Sequence, residues 1–150
     1  MNKEYGFTLL EMVLIIVVMG ILYVAEFNYF PVSSVNLKTQ TLRLVDDIRY
    51  TQSLSMSKYV VYNCTIVSNS YIIGNSTSQV ANTGLAPGIT ATIISPNYPG
   101  CNSISFNTKG IPYSCGNIAT QNVTITLTNE EEESNSVTVV PMTGLVVSTA

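Results

Sequence analysis

The stretch Gly6–Leu22, "GFTLLEMVLIIVVMGIL", is apolar almost throughout, yet it places a carboxylate, Glu11, near its start. From Phe7 to Ala25 the run predicts a helix of roughly 28 Å at about 1.5 Å per residue, close to the thickness of a bilayer core. Glu26 and Asn28 close the run, and Pro31 lacks the N–H a continuing helix needs. A carboxylate inside hydrocarbon costs about 2.5–3.5 kcal/mol even on lenient scales, so Glu11 calls for a partner or for a reach to the headgroups.

A removable secretory signal fits poorly. Lys3 and Glu4 cancel, the apolar run starts directly after Gly6, and a cut after Ala25 would put bulky Tyr23 where a small residue is wanted. A plain membrane anchor leaves Glu11 without a purpose. Orientation is not set by charge, because Lys3 on one side faces Lys38 and Arg43 on the other.

The short polar leader ending in Gly6, followed by Phe7, Thr8, Leu9, Leu10 and Glu11 and then the apolar run, resembles the processing motif of type IV prepilins and type II secretion pseudopilins. The resemblance implies cleavage between Gly6 and Phe7 by a prepilin peptidase, then N-methylation of Phe7. It further implies that Glu11 neutralises the Phe7 amine of a neighbouring subunit during assembly. Two ions costly apart in hydrocarbon become tolerable together, so such a pair rewards assembly in register. Other pilin or pseudopilin subunits and an inner-membrane assembly platform are the implied partners. The implied location is the bacterial inner membrane, single-pass, with the C-terminal part in the periplasm or outside and the subunit in a filament once assembled.

Beyond Pro31, "NLKTQTLRLVDDIRYTQSLSMSK" spaces Leu42, Val45, Arg49, Gln52 and Met56 by three and four, with Leu44, Ile48 and Ser55 adjacent. This predicts an amphipathic helix laid on a sheet, with Asn36 as a possible cap, Asp46 within helical reach of Arg49, and continuity with the first helix past Pro31. After Lys58 the period changes to two, between Gly, Pro, Asn and Ser punctuation. Strands are expected near Tyr59–Val67, Tyr71–Gly74, Ile89–Ile94, Ser103–Asn107, Asn122–Thr128, Val137–Val140 and Leu145–Ser148. The expected class is α+β: a long N-terminal helix packed on a C-terminal antiparallel sheet or two-sheet domain. Its expected divisions are a leader at 1–6, an assembly helix at 7–30, an amphipathic continuation at 31–58 and a β-rich head at 59–150.

"DDIRYTQSLSMSKYVVYNC", "ISFNTKGIP" and "VTVVPMTGLVV" extend the resemblance to the GspH/FimT group of minor pseudopilins and minor pilins, through Arg49, Phe106, Gly110 and Gly144. Some DNA-binding minor pilins of that group carry arginines just after the glycine matching Gly144, whereas this chain continues Leu145, Val146, Val147. Phosphate contacts there have no source. Charge agrees: of 150 residues only 10% are charged, against about 25% in ordinary soluble domains, and Lys109 is the one cation after Lys58. Nucleic-acid binding is disfavoured, although a DNA-uptake or adhesion minor pilin, or a membrane-anchored extracytoplasmic β domain, remains the alternative.

Cys64, Cys101 and Cys115 permit three single disulfides and a leftover thiol. The short turn-rich segment between Cys101 and Cys115 favours that pair, against three reduced thiols. No Cys-x-x-Cys spacing and no histidine point to zinc, redox or imidazole chemistry. Ser55-Met56-Ser57-Lys58 matches Ser-x-x-Lys formally, but the companion Lys-Thr-Gly element is missing. The expectation is no enzyme, no cofactor and no metal. Glu130–Glu133 reads as a solvated hairpin loop, since a calcium site would need several converging oxygens.

Overall fold

The computed structural model describes residues 9–27, 32–67 and 69–149, with side-chain surroundings described for all of these except 23–27 and 32–34. The chain divides into two compact units, residues 1–32 and 33–150.

In the first unit, α1 runs Leu9–Phe27. Its described side chains, from Leu9 to Leu22, are exposed on every side, including Ile16 at 70% and Leu9 at 83%. A helix apolar all round requires an apolar environment or a partner. Among the described residues no helix is long and apolar enough to cross a membrane. The predicted span extends at both ends beyond the side chains that are described. The expected continuity past Pro31 also lies outside them.

α2 runs Val32–Lys58 and from Ser33 onward belongs to the second unit, so Asn36 is an exposed position inside the helix and not its cap. The buried face differs from the expected one. Leu42 and Met56 are 48% and 42% exposed, while Leu37, Thr41, Leu44, Ile48, Thr51 and Ser55 are at most 2% exposed. The seam runs one residue earlier because its polar members satisfy themselves along the helix. The hydroxyls of Thr41, Thr51 and Ser55 donate to the carbonyls of Leu37, Asp47 and Thr51 at 2.7, 2.7 and 3.0 Å. Ser and Thr bonded back to the i−4 carbonyl can be buried at little cost, and their small size admits close approach to a sheet.

Tyr59 closes α2 in the left-handed region at φ 55°. That conformation delays the first strand to Tyr62. In chain order the strands are β1 Tyr62–Val67, β2 Ser70–Gly74, β3 Gln79–Gly84, β4 Thr90–Ile94, β5 Ser103–Phe106, β6 Pro112–Ser114, β7 Asn117–Ile118, β8 Val123–Thr128, β9 Ser134–Val139 and β10 Val146–Thr149. They form two antiparallel sheets, one of six strands ordered β3-β2-β1-β5-β6-β7 and one of four ordered β10-β9-β8-β4. The chain therefore leaves the first sheet for β4, returns for β5–β7 and leaves again for β8–β10.

β8 shows the alternation that sequence predicts: Val123, Ile125 and Leu127 are buried, with Thr124, Thr126 and Thr128 half-buried between them. Inward residues of both sheets, among them Tyr71, Ile73, Ile104, Phe106, Ile125, Val137 and Val139, join Leu37, Leu44, Val45 and Ile48 of α2 in one core. The buried face of α2 thus shares its core with both sheets.

β3, β6 and β7 were not expected. β3, "QVANTG", buries only Thr83 and owes its conformation to pairing with β2. β6 and β7 are joined by a two-residue turn, Cys115 at φ 47° and Gly116 at φ 83°. Two successive left-handed residues make the hairpin turn whose twist matches the strands. Cysteine is an unusual choice there, which hid the turn. A disulfide joins Cys115 to Cys101, Cα atoms 5.8 Å apart, and so ties the passage from β4 to β5 onto that hairpin. Cys64 is left as a buried free thiol.

Candidate functional site

Two places in the chain carry features that packing alone does not demand. The first is the start of α1. Glu11 lies in its first turn and is exposed, among exposed Leu9, Leu10, Met12 and Leu14. A carboxylate there also complements the partial positive charge of the helix N-terminus. Gly6 and Phe7 lie outside the described residues.

The second is the seam between α2 and the two sheets, where the residues singled out in three separate fragments meet. Gln52 donates from Nε2 to the carbonyl of Gly110 at 2.9 Å and to that of Thr143 at 3.2 Å. One amide thereby holds the turn after β5 and the turn before β10. Both turns need glycine: Gly110 has φ 77° and Gly144 φ 67°. A Cβ at Gly144 would lie 2.3 Å from Gln52 Nε2 and 2.6 Å from the Gly110 carbonyl oxygen, and one at Gly110 would lie 2.9 Å from Met56 Sδ. Backbone thus approaches the helix as closely as side-chain-free positions allow. Gln52 reads in sequence as one more member of a helical stripe; its polarity on that stripe was the available signal.

Arg49 stands one turn earlier. It pairs with Asp46 at 3.7 Å, an exposed contact of little energetic weight. Its second amine group donates to the carbonyl of Val146 at 3.1 Å. Val140 N–H bonds Leu145 O, and Val146 is registered opposite Val139, so the backbone groups of Val146 point away from β9, off the sheet edge. Arg49 therefore occupies an outward carbonyl of an edge strand.

On the other flank of α2, Tyr71 of β2 donates its hydroxyl to Asp47 Oδ2 at 2.5 Å. Burial, then the hydrogen bond to Asp47 and the charge of that carboxylate, hold the Tyr71 phenol above its ordinary value, with Thr83 and Arg43 pulling the other way. Burial, followed by the Asp47 charge, pushes the Cys64 thiol up to about 12. Neither group is poised for chemistry at neutral pH. Ser55 is no nucleophile candidate: it is buried, donates to Thr51 O and accepts from the Tyr62 N–H at 3.1 Å. Among the described residues no cluster of acidic or thiol side chains could hold a metal ion. Glu130–Glu133 is exposed, as expected, in a turn capped by Asn129.

The raised thiol gives the head an alkaline limit. Unfolded, the Cys64 thiol ionises near 9.0; folded, near 12. Between those values the unfolded chain gives up a proton that the folded chain keeps, so this contribution to stability is full below pH 9.0 and is lost as pH rises toward 12. The loss is about 1.4 kcal/mol per pH unit at most. Cys64→Ala is expected to flatten part of the decline in urea midpoint above pH 9, with Tyr71 supplying the remainder. Parallel pH profiles for the two proteins would refute this origin.

Residues 1–22 match the family described as the prokaryotic N-terminal methylation motif. No curated protein matches the chain. Among solved structures, the type IV minor pilin FimU of Pseudomonas aeruginosa is similar with a TM-score of 0.62 at 14% identity, over 80% of this chain and 93% of that one. The minor pseudopilin EpsH of the type 2 secretion system of Vibrio cholerae is similar with a TM-score of 0.57 at 10% identity, over 77% of this chain and 97% of that one. At such identities the likeness is one of fold: a helix on two antiparallel sheets, as in pilins.

Proposed function

We propose that this pilin-like chain is a structural subunit, a minor pilin or minor pseudopilin, of a type IV pilus or a type II secretion pseudopilus. The observation that carries the reading is the coincidence, in one chain, of the N-terminal methylation motif over residues 1–22 with the two-sheet fold that FimU and EpsH display. In this reading a prepilin peptidase cuts between Gly6 and Phe7 and the new Phe7 amine is methylated. The subunit is held in the bacterial inner membrane by its N-terminal helix, with residues 33–150 on the far side from the leader, until an assembly platform feeds it into a filament.

α1 supplies the packing surface, since side chains exposed all round its described length can contact neighbours on every side. Glu11 supplies register. Its carboxylate meets the Phe7 amine of the adjacent subunit, and a misplaced subunit would leave both ions unpaired in an apolar surround, a cost of several kcal/mol. Apart from Lys109 and the Glu130–Glu133 turn, residues 59–150 draw their polarity mostly from Ser, Thr, Asn and Tyr. The mechanism is assembly and not turnover.

The test is the intact mass of the protein from cell membranes. The expected chain runs Phe7–Ala150 with one added methyl group. Glu11→Gln should be processed identically and yet enter sheared filaments or cross-linked assemblies at least about tenfold less, the loss expected when a buried partner charge is removed. A chain beginning at Met1 in cells that possess the peptidase, or at Glu26, would overturn the reading.

A further inference from the structure

The two halves of the Cys101–Cys115 bridge stand in different surroundings. Cys115 is an exposed residue, the first of the two left-handed positions in the β6–β7 turn, whereas Cys101 is 6% exposed. Cys101 Sγ lies 3.2 Å from the hydroxyl of buried Ser114 and 3.1 Å from the carbonyl oxygen of Ser103. The polar contact of Cys115 Sγ is longer, 4.0 Å to the Ser103 hydroxyl. A bridged sulfur has no proton to donate and is a weak acceptor, so the pair of groups around Cys101 Sγ is matched to a different state of that sulfur. Ser114 carries one hydroxyl proton and lies 3.0 Å from Ser95 Oγ as well, so the proton can turn to whichever neighbour holds the charge. Hydrogen bonds to an ionised acceptor are roughly twice as strong as neutral ones. A thiolate at Cys101 would draw the Ser114 proton, and a thiol there would donate to the Ser103 carbonyl.

Thiol–disulfide exchange begins with a thiolate attacking one of the two sulfurs, and its rate follows access to that sulfur and the stability of the thiolate that leaves. The two factors oppose each other here. Solvation favours the exposed Cys115 as the leaving thiolate, because burial disfavours the charged form at Cys101. Access favours attack at Cys115, because a thiolate from solution cannot line up behind the sulfur of a buried residue while the head is closed. Access decides, since it is required before any leaving group can depart, and the Ser114 hydroxyl offsets part of the burial at Cys101. No carboxylate occurs in the sequence between Lys58 and Glu130, and so none next to Cys115 along the chain repels an anionic thiolate. Cys64 does not compete: it is 0% exposed, and burial pushes its thiol up to about 12.

We propose that the Cys101–Cys115 bridge is a latch opened by low-molecular-weight thiols, with Cys115 Sγ as the modified atom and Cys101 as the leaving thiolate received by Ser114. A thiolate bonds to Cys115 Sγ as the S–S bond breaks, and the electron pair of that bond stays on Cys101 Sγ, which then takes a proton from solvent. A second thiolate attacks the outer sulfur of the mixed disulfide and releases Cys115. In sum two thiols are oxidised to one disulfide and the bridge is reduced by two electrons. What opens is local. β7 consists of Asn117 and Ile118, both exposed, and its pairing with β6 is limited to Tyr113↔Ile118 and Ser114↔Asn117. With the bridge broken, Cys115 is no longer tied at φ 47°, a conformation that side chains other than glycine resist. Ile104 and Phe106 remain 0% exposed, held by the pairing of β5 with β1, so the core stays shut. The device lies in the head, and its failure is a separate result from a failure of the N-terminal processing reading.

The test treats the full chain in detergent with reduced glutathione and adds light maleimide under native conditions. Acid quenching and denaturation follow, then heavy maleimide, digestion and mass spectrometry. The expected first product carries glutathione on Cys115 and maleimide on Cys101, while Cys64 takes the heavy label alone. Ser114→Ala should slow its formation about fivefold, the loss of one hydrogen bond of ordinary strength to the departing sulfur. Glutathione on Cys101, or light label entering Cys64 as fast as the bridge opens, would overturn the proposal, the latter because opening would then be unfolding of the whole head. No glutathione adduct on Cys115 would overturn it equally. An unchanged rate in Ser114→Ala would strike out the leaving-group role of Cys101.

Discussion

Gly144→Ala is expected to destabilise the head by about 3–5 kcal/mol, far more than one methyl group in a surface turn would ordinarily cost. Three effects add. The residue sits at φ 67°, where a side chain costs about 1 kcal/mol or more. The new Cβ lies 2.6 Å from the Gly110 carbonyl oxygen, a backbone atom whose turn is fixed by Asn107. It also lies 2.3 Å from Gln52 Nε2, so the amide must leave and both carbonyls it serves lose their donor, about 1 kcal/mol each. Gln52→Ala alone should therefore cost about 1–2 kcal/mol, and the double variant should stay near Gly144→Ala because the backbone clash persists. The buried Cys64 thiol is a built-in reporter: maleimide labelling along a urea titration reads opening of the head in the intact chain. A Gly144→Ala midpoint within about 1 kcal/mol of the parent would show that the clasp is slack.

Phe106→Ala comes next, at about 3–5 kcal/mol by the same readout. Phe106 is 0% exposed, lies opposite Tyr62 and Pro112 in the ladder, and packs in the core shared by both sheets and α2. Truncation leaves a void that a sheet braced on both sides and tied by the Cys101–Cys115 disulfide cannot close. Phe106→Leu, which refills most of the volume, should lose less than about half as much. Equal losses for the two would mean that ring shape, and not volume, is what the core requires.

What was legible follows from where the chain obeys one rule at a time. β8 alternates because one face is buried and the other wet, and nothing else acts on it. The acidic run had to be a turn, since four like charges on a paired strand would repel. α2 was read one residue off because Thr41, Thr51 and Ser55 count as polar in a periodicity, yet they are bonded internally and buried. β3 and β7 carry little pattern of their own; neighbouring strands impose their conformation. At the seam, the glycines at 110 and 144 and the arginine at 49 were visible as points of likeness. Gln52 as the group that joins them was not, because a side-chain amide spanning two turns remote in sequence leaves no local signature. The Asp47–Tyr71 bond was missed for the same reason.

Arg49 has a last consequence in the language of polymer growth. The four-stranded sheet ends at β10, a strand with no charged side chain of its own, in a protein proposed to assemble with other pilin-like subunits. Such an edge is the usual seed for runaway strand addition. With the Val146 carbonyl held by a guanidinium, Ser148 is the other residue of β10, Val146–Thr149, whose backbone groups face outward, too few to template a ladder. A single side chain borrowed from the neighbouring helix acts as a chain stopper, so that subunits stack by the order of their surfaces and not by fusing their sheets.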